Sequence, residues 1–187
     1  IRYRMENESS VRRVGESRVP TEFGEFRCIS YHDDIGDSAH VALVRGDVRR
    51  EWPTLVRVHV QESVLDLFTS AHRSGSTWTL RRALERVARE GAGVVVVLQQ
   101  QELPAELVRR VQRLQQDPQE REPVVRGGRE EMRTYGLGSQ ILADLGVGKM
   151  RVLGHAMKAP GMSGFGLEIV EYIEDTAGNN KDKKATR

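Results

Sequence analysis

Four consecutive valines, Val94 to Val97, followed by Leu98, constrain this chain more than any other feature. A strand alternates its side chains between two faces, so an unbroken β-branched apolar run must be buried on both. Gly93 to Leu98 is therefore predicted as a central strand of a covered sheet. Alternation elsewhere supplies further strands. These are Glu25 to Tyr31, His40 to Arg45 after a turn over Asp33 to Asp37, Thr54 to Val60, Lys149 to Leu153, and Leu167 to Ile173. Between them the period changes to three and four. Helices are predicted over Glu62 to Ala71 and from about Trp78 to Glu90, the latter capped by Ser76–Thr77 and ended by Gly91. Two more are predicted over Leu103 to Gln116, with Leu107, Val111 and Leu114 on one face, and over Ile141 to Leu145, stopped by Gly146. Residues 118–128 read as a loop. The order, strands first and then strands mixed with helices, predicts a mixed α/β domain.

The ends have a different character. Residues 1–13 are polar and helix-compatible, and read as a linker helix from an upstream domain. The tail, residues 175–187, offers nothing able to pack and is expected to be disordered. The domain proper is placed at residues 14–174.

Charge and cysteine usage narrow the function classes. Lys and Arg number 29 against 27 Asp and Glu, and the net charge of +2 gives no reason to expect a nucleic-acid partner. No apolar run approaches the roughly 18 residues of a membrane span. One cysteine, Cys28, is present, which rules out an intrachain disulfide and a multi-cysteine zinc site, and suits a cytoplasmic protein. Phosphate-loop, dinucleotide-fingerprint and HExxH patterns are not found.

Thr21-Glu-Phe-Gly-Glu-Phe-Arg27, His40-Val-Ala-Leu-Val-Arg-Gly46, Val56-Arg-Val-His59, Arg133 through Gly146 with Lys149 to Leu153, and Ser163 to Tyr172 follow one another along the chain. In that order they resemble the GTP cyclohydrolase II domain of riboflavin biosynthesis. The opening Arg2-Tyr-Arg-Met-Glu-Asn-Glu resembles the junction of fused proteins that carry a 3,4-dihydroxy-2-butanone 4-phosphate synthase ahead of this domain. The resemblance implies a largely antiparallel mixed sheet flanked by helices, and an upstream synthase domain in the same chain as partner. It also implies a possible homodimer.

The resemblance further implies a zinc ion on three cysteines, whose bound water attacks the guanine ring. Those ligands follow a VHSEC…CDC pattern. Here Glu62 stands at the first position, and Arg73-Ser-Gly75 lies where the pair belongs. No metal ligand set and no cofactor are therefore expected, unless Glu62, His59 and His72 form a substitute. The family's EGRGIGL segment is replaced by Gln99-Gln-Gln-Glu-Leu-Pro104, and Trp78, near the base-reading position, reads as a core residue. Remnants persist. By resemblance, Glu131 and Arg133 occupy the D-x-R positions linked to attack on the α-phosphate, and Arg57 and Lys158 match nucleotide- or phosphate-binding positions, although the TNNP stretch is replaced by Gly154-His-Ala-Met. A domain without cyclohydrolase activity is expected, acting as a structural, dimerising or regulatory partner of the synthase. The alternatives are an active cyclohydrolase with a rebuilt metal site, and a nucleotide- or flavin-sensing module holding GTP or phosphate.

Overall fold

A computed structural model describes residues 10–61, 78–100, 103–114, 128–155 and 162–175. Seven strands form one sheet: β1 (Val11–Thr21), β2 (Gly24–Asp33), β3 (Ser38–Arg45), β4 (Thr54–Gln61), β5 (Gly93–Gln99), β6 (Lys149–Leu153) and β7 (Glu168–Ile173). Their spatial order is β1-β2-β3-β5-β4-β6-β7. The first three pairings, β1 with β2, β2 with β3 and β3 with β5, are antiparallel; β4 pairs parallel with β5 and β6, and β6 with β7. The expected mixed α/β class, a mixed sheet with flanking helices, is what the chain adopts; the sheet expected to be largely antiparallel divides evenly, with three antiparallel and three parallel pairings.

The valine run is β5, and Val94, Val95 and Val96 are fully buried. Alternate residues enter two cores. Val94, Val96 and Leu98 join Ile29, Tyr31 and Val56 on one face. Val95 and Val97 join Phe26, Leu55 and Trp78 on the other. Helix α1 (Leu80–Glu90) covers the second face with Ala83 and Val87. Helix α3 (Gly128–Asp144) covers the first with Leu137, Ile141 and Leu142. On helix α2 (Pro104–Leu114), Val111 of the expected stripe is exposed and Leu107 is half-buried, while the Leu114 side chain lies outside the described residues.

Three boundaries differ from the sequence expectation. Thr79, not Ser76–Thr77, caps α1: its hydroxyl accepts the Arg82 N–H at 3.2 Å. Gly91 does end the helix, in the left-handed conformation at φ 83°. Helix α3 starts about four turns before Ile141. Gly136 and Gly138 lower its intrinsic helicity, but packing outweighs them. An added Cβ at Gly138 would lie 3.3 Å from Val58, so the missing side chain lets the helix approach the sheet closely. Finally, Val11 to Arg13 begin β1 rather than ending a linker helix. Residues 1–9 of that segment, the helix over Glu62 to Ala71 and most of the 118–128 loop lie outside the described residues. Of the tail, Asp175 is described and is not loose: its carboxylate is buried against Arg82, which donates a 2.6 Å hydrogen bond.

Candidate functional site

Strands β5, β4, β6 and β7 run in the same direction, so their carboxyl ends gather at one end of the sheet. Open crevices at such ends are where α/β sheets bind ligands. Two concavities occur there, both beside α3.

The first is a polar cleft of about 230 Å³, lined in part by Ser38, His40, Gln99, Arg133 and Thr134. Arg133 is anchored rather than loose. Its Nη2 donates to Asp33 Oδ2 at 2.6 Å, and Asp33 is fully buried while the Arg133 side chain is 43% exposed. Burial alone would raise the Asp33 pKa. The Arg133 hydrogen bond, the Ile35 N–H and the Arg133 charge outweigh it and hold the carboxyl below its ordinary value. Asp33 also accepts the N–H of Ile35 at 3.2 Å and of Gly36 at 3.1 Å, which shapes the turn after β2. Gly36 is needed beneath the guanidinium, because an added Cβ would overlap Arg133.

His40 is the other buried titratable group in this cleft. The Gln99 N–H donates to its Nδ1 at 3.2 Å, which leaves the proton of the neutral ring on Nε2, 3.3 Å from Ser38 Oγ. Burial pushes its pKa down, against the opposing pull of the Asp33 charge.

The second concavity is a cavity of about 240 Å³ between β4, β6 and α3, with largely apolar walls that include Val58, Leu142, Met150 and Val152. Arg57 lines it from β4. Its Nη1 donates to the Leu153 carbonyl at 2.9 Å and its Nη2 to the Trp78 carbonyl at 3.1 Å. The cation thus ties the end of β6 to the approach of α1. Trp78 is core, as read from the sequence: it is 8% exposed, with its indole N–H on the Ile173 carbonyl at 2.8 Å.

The four residues singled out from sequence are therefore only partly united. Arg133 and Arg57 reach neighbouring concavities at the same sheet end. Lys158 and the Glu131 side chain lie outside the described residues. Asp33 and His40 went unnoticed as site residues in the sequence. Asp33 read as a turn residue, and its partner lies one hundred positions away, so no local spacing could reveal the pair.

A three-thiolate zinc site does not fit this chain. Its one cysteine, Cys28, lies mid-strand in β2, in a row that runs through Leu43 and Val95 to Arg57. That is three strand spacings, about 14 Å, from β4. Among the described residues no three His, Cys, Asp or Glu side chains converge as a metal site would require. His59 is buried on β4 at 2% exposure; Glu62 and His72, its imagined partners in a substitute site, lie outside the described residues.

Comparison with known families settles what this architecture is. The family model for GTP cyclohydrolase II matches residues 12–174. The chain belongs to the GTP cyclohydrolase II family. It is 45% identical over 176 residues to a 3,4-dihydroxy-2-butanone 4-phosphate synthase of Pseudomonas syringae pv. tomato, covering 92% of this chain and 46% of that protein. It is 38% identical over 180 residues to the riboflavin biosynthesis protein RibBA of Chlorobium phaeovibrioides, covering 92% and 43%. Among solved structures it matches RibBX, a two domain 3,4-dihydroxy-2-butanone 4-phosphate synthase from A. baumannii, with a TM-score of 0.64 at 32% identity over 92% of this chain and 43% of that one. The chain thus spans less than half the length of these relatives. No helix among its described residues is long and apolar enough to cross a membrane.

Proposed function

We propose that this cyclohydrolase-family domain is silent towards GTP and serves as a structural or regulatory partner of a 3,4-dihydroxy-2-butanone 4-phosphate synthase domain in riboflavin biosynthesis. The observation that carries the reading is the donor set. A zinc held by three thiolates needs three cysteines, and the chain has one, on the wrong strand. Hydrolysis that depends on such a metal loses its activated water. Two features of the site support the same reading. Arg57 donates to two backbone carbonyls, and the Arg133 charge is balanced by Asp33. The names of the relatives supply the partner, since proteins twice this length with a matching half are called synthases. A homodimer is part of the proposal by family likeness.

The test has two arms. Purified chain supplied with zinc is assayed for formate release from GTP, alongside metal analysis. One bound zinc per chain with sustained turnover would overturn the reading in favour of a rebuilt metal site. Synthase activity is then compared between a full-length relative and its synthase half alone. An undiminished, equally stable synthase half would remove the partner role.

A second reading has one observation in its favour. Arg133 keeps an exposed outer edge facing the polar cleft, beside Thr134 and His40. A guanidinium so placed suits a phosphate oxygen. The domain would then sense a nucleotide or flavin phosphate, with Lys158 as a second cation. Calorimetric titration with GTP and with a flavin mononucleotide, repeated on an Arg133→Ala, Lys158→Ala variant, tests it; an unchanged heat in the variant removes it.

A further inference from the structure

The turn between β2 and β3 carries a histidine that does not line the polar cleft. His32 is the last residue but one of β2, and its ring spans two carboxylates. Nδ1 lies 2.9 Å from Asp34 Oδ1, and Nε2 lies 3.1 Å from Asp37 Oδ1. An ionised carboxylate only accepts, and a neutral imidazole has one N–H. The neutral ring therefore satisfies one aspartate and turns a lone pair towards the other. Both contacts are attractive only when both nitrogens carry protons. The two carboxylates are not held equally. Asp34 is tied down from β1, by its N–H on the Ser10 carbonyl at 2.8 Å and by Arg12 at 3.5 Å from its Oδ1. Asp37 has no partner but His32 among the described residues, and its side chain is 96% exposed. Its backbone sits in the left-handed region at φ 46°, which residues with a Cβ seldom occupy.

The neighbours of Asp37 on both sides, Gly36 and Ser38, line the polar cleft, and Gly36 passes beneath the Arg133 guanidinium. We propose that this turn is a proton-operated latch on the cleft. The doubly protonated His32 ring pins Asp37 and keeps Gly36 under Arg133. The neutral ring keeps Asp34 and releases Asp37, so that Gly36 and the guanidinium above it are free to move. The charges around the ring fit this role. Arg12 faces it from β1 and the uncharged Ala39 from β3, while alternation sends Asp33 and His40 to the opposite face, with Arg133 on Asp33. The hydrogen bonds to Asp34 and then to Asp37 hold the His32 pKa above its ordinary value. With the folded pKa raised, the clamp is complete below the unfolded value of about 6.5 and is lost as pH rises through the folded one. The latch lies beyond both the partner role and the phosphate reading, and rests on neither.

Nitrogen-resolved NMR of the whole chain, titrated from about pH 5.5 to about pH 8.5, tests it. Four signals are followed: the His32 ring nitrogens, the Gly36 and Asp37 amides, and Arg133 Nε. The expected result is one midpoint above about 6.5 shared by all four. His40 titrates below its ordinary value, so the two rings separate on the pH axis. His32→Gln keeps a polar side chain without a titrating ring, and should flatten the Gly36, Asp37 and Arg133 signals over that range. Asp37→Asn removes the second carboxylate, and should lower the His32 midpoint while uncoupling Arg133 from it. If His32→Gln is unfolded by near-ultraviolet circular dichroism, the wild-type and Asp37→Asn titrations still decide the matter. A His32 midpoint at or below about 6.5 would overturn the latch. So would a Gly36 or Arg133 signal that does not follow the ring, or one that titrates unaltered in His32→Gln.

Discussion

Asp33→Asn isolates the contact that holds Arg133 in the cleft. The change keeps the side-chain shape and an oxygen for the Ile35 N–H, but removes the charge and puts an amide NH2 in place of the oxygen that accepts from Gly36 and, at 2.6 Å, from the guanidinium. Breaking a fully buried ion pair by neutralising one member costs about 3–5 kcal/mol. Here only one member is buried: Asp33 has no exposure, while the Arg133 side chain keeps 43% and stays partly hydrated. Discounting for that hydration leaves a cost of about 1–2 kcal/mol, near the lower end for a hydrogen bond to a charged group. With a urea slope of about 2 kcal/mol per molar for a domain of this size, the unfolding midpoint should fall by roughly 0.5–1 M. The pH dependence gives a second readout. Asp33 is held below its ordinary pKa, so the stability it contributes is present above the unfolded value, about 3.9, and is lost as pH falls through the lower, folded value. The variant should therefore lose less stability than wild type on acidification below about pH 4. A midpoint unmoved at neutral pH and an unchanged acid limb would refute the argument, because Asp33 would then be an ordinary turn residue.

Other expectations follow the same logic. His40 is buried neutral with a depressed pKa, so stability should fall as pH drops from about 6.5 towards the folded value; His40→Gln should flatten that slope in urea midpoints taken between pH 7.5 and pH 5. Trp78→Phe keeps most of the ring volume and loses the indole bond to the Ile173 carbonyl, which should cost about 1 kcal/mol in denaturant titration. Gly138→Leu forces a side chain into the contact between α3 and Val58, and should destabilise by about 1–3 kcal/mol by thermal melt.

The sheet was legible wherever alternation or a continuous apolar run marks burial, as in β2 to β5. Strand β1 was hidden because it lies at the sheet edge. Seven consecutive residues from Arg12 to Arg18 are exposed, and Pro20 and a register shift near Gly15 interrupt it. With neither face in a core, no apolar period is imposed. The first turns of α3 were hidden by their glycines, whose helical cost is met by tertiary packing that propensity does not carry. At the site, Arg133 and Arg57 were visible through the family resemblance. What they hold was not, because Asp33 and the Leu153 carbonyl come from distant parts of the chain.

Strand β5 also divides the sheet by the separation of its partners along the chain. On one side, β1, β2 and β3 join through short turns, so their pairing closes small loops. On the other, β4 meets β5 across more than thirty residues and β6 across nearly a hundred. Closing such loops before any contact rewards it slows the search. During refolding, the amides of β2 and β3 should gain protection from solvent exchange ahead of those of β4 and β6. The end of the molecule that carries the cavity would then be assembled last, its shape imposed on a meander already in place.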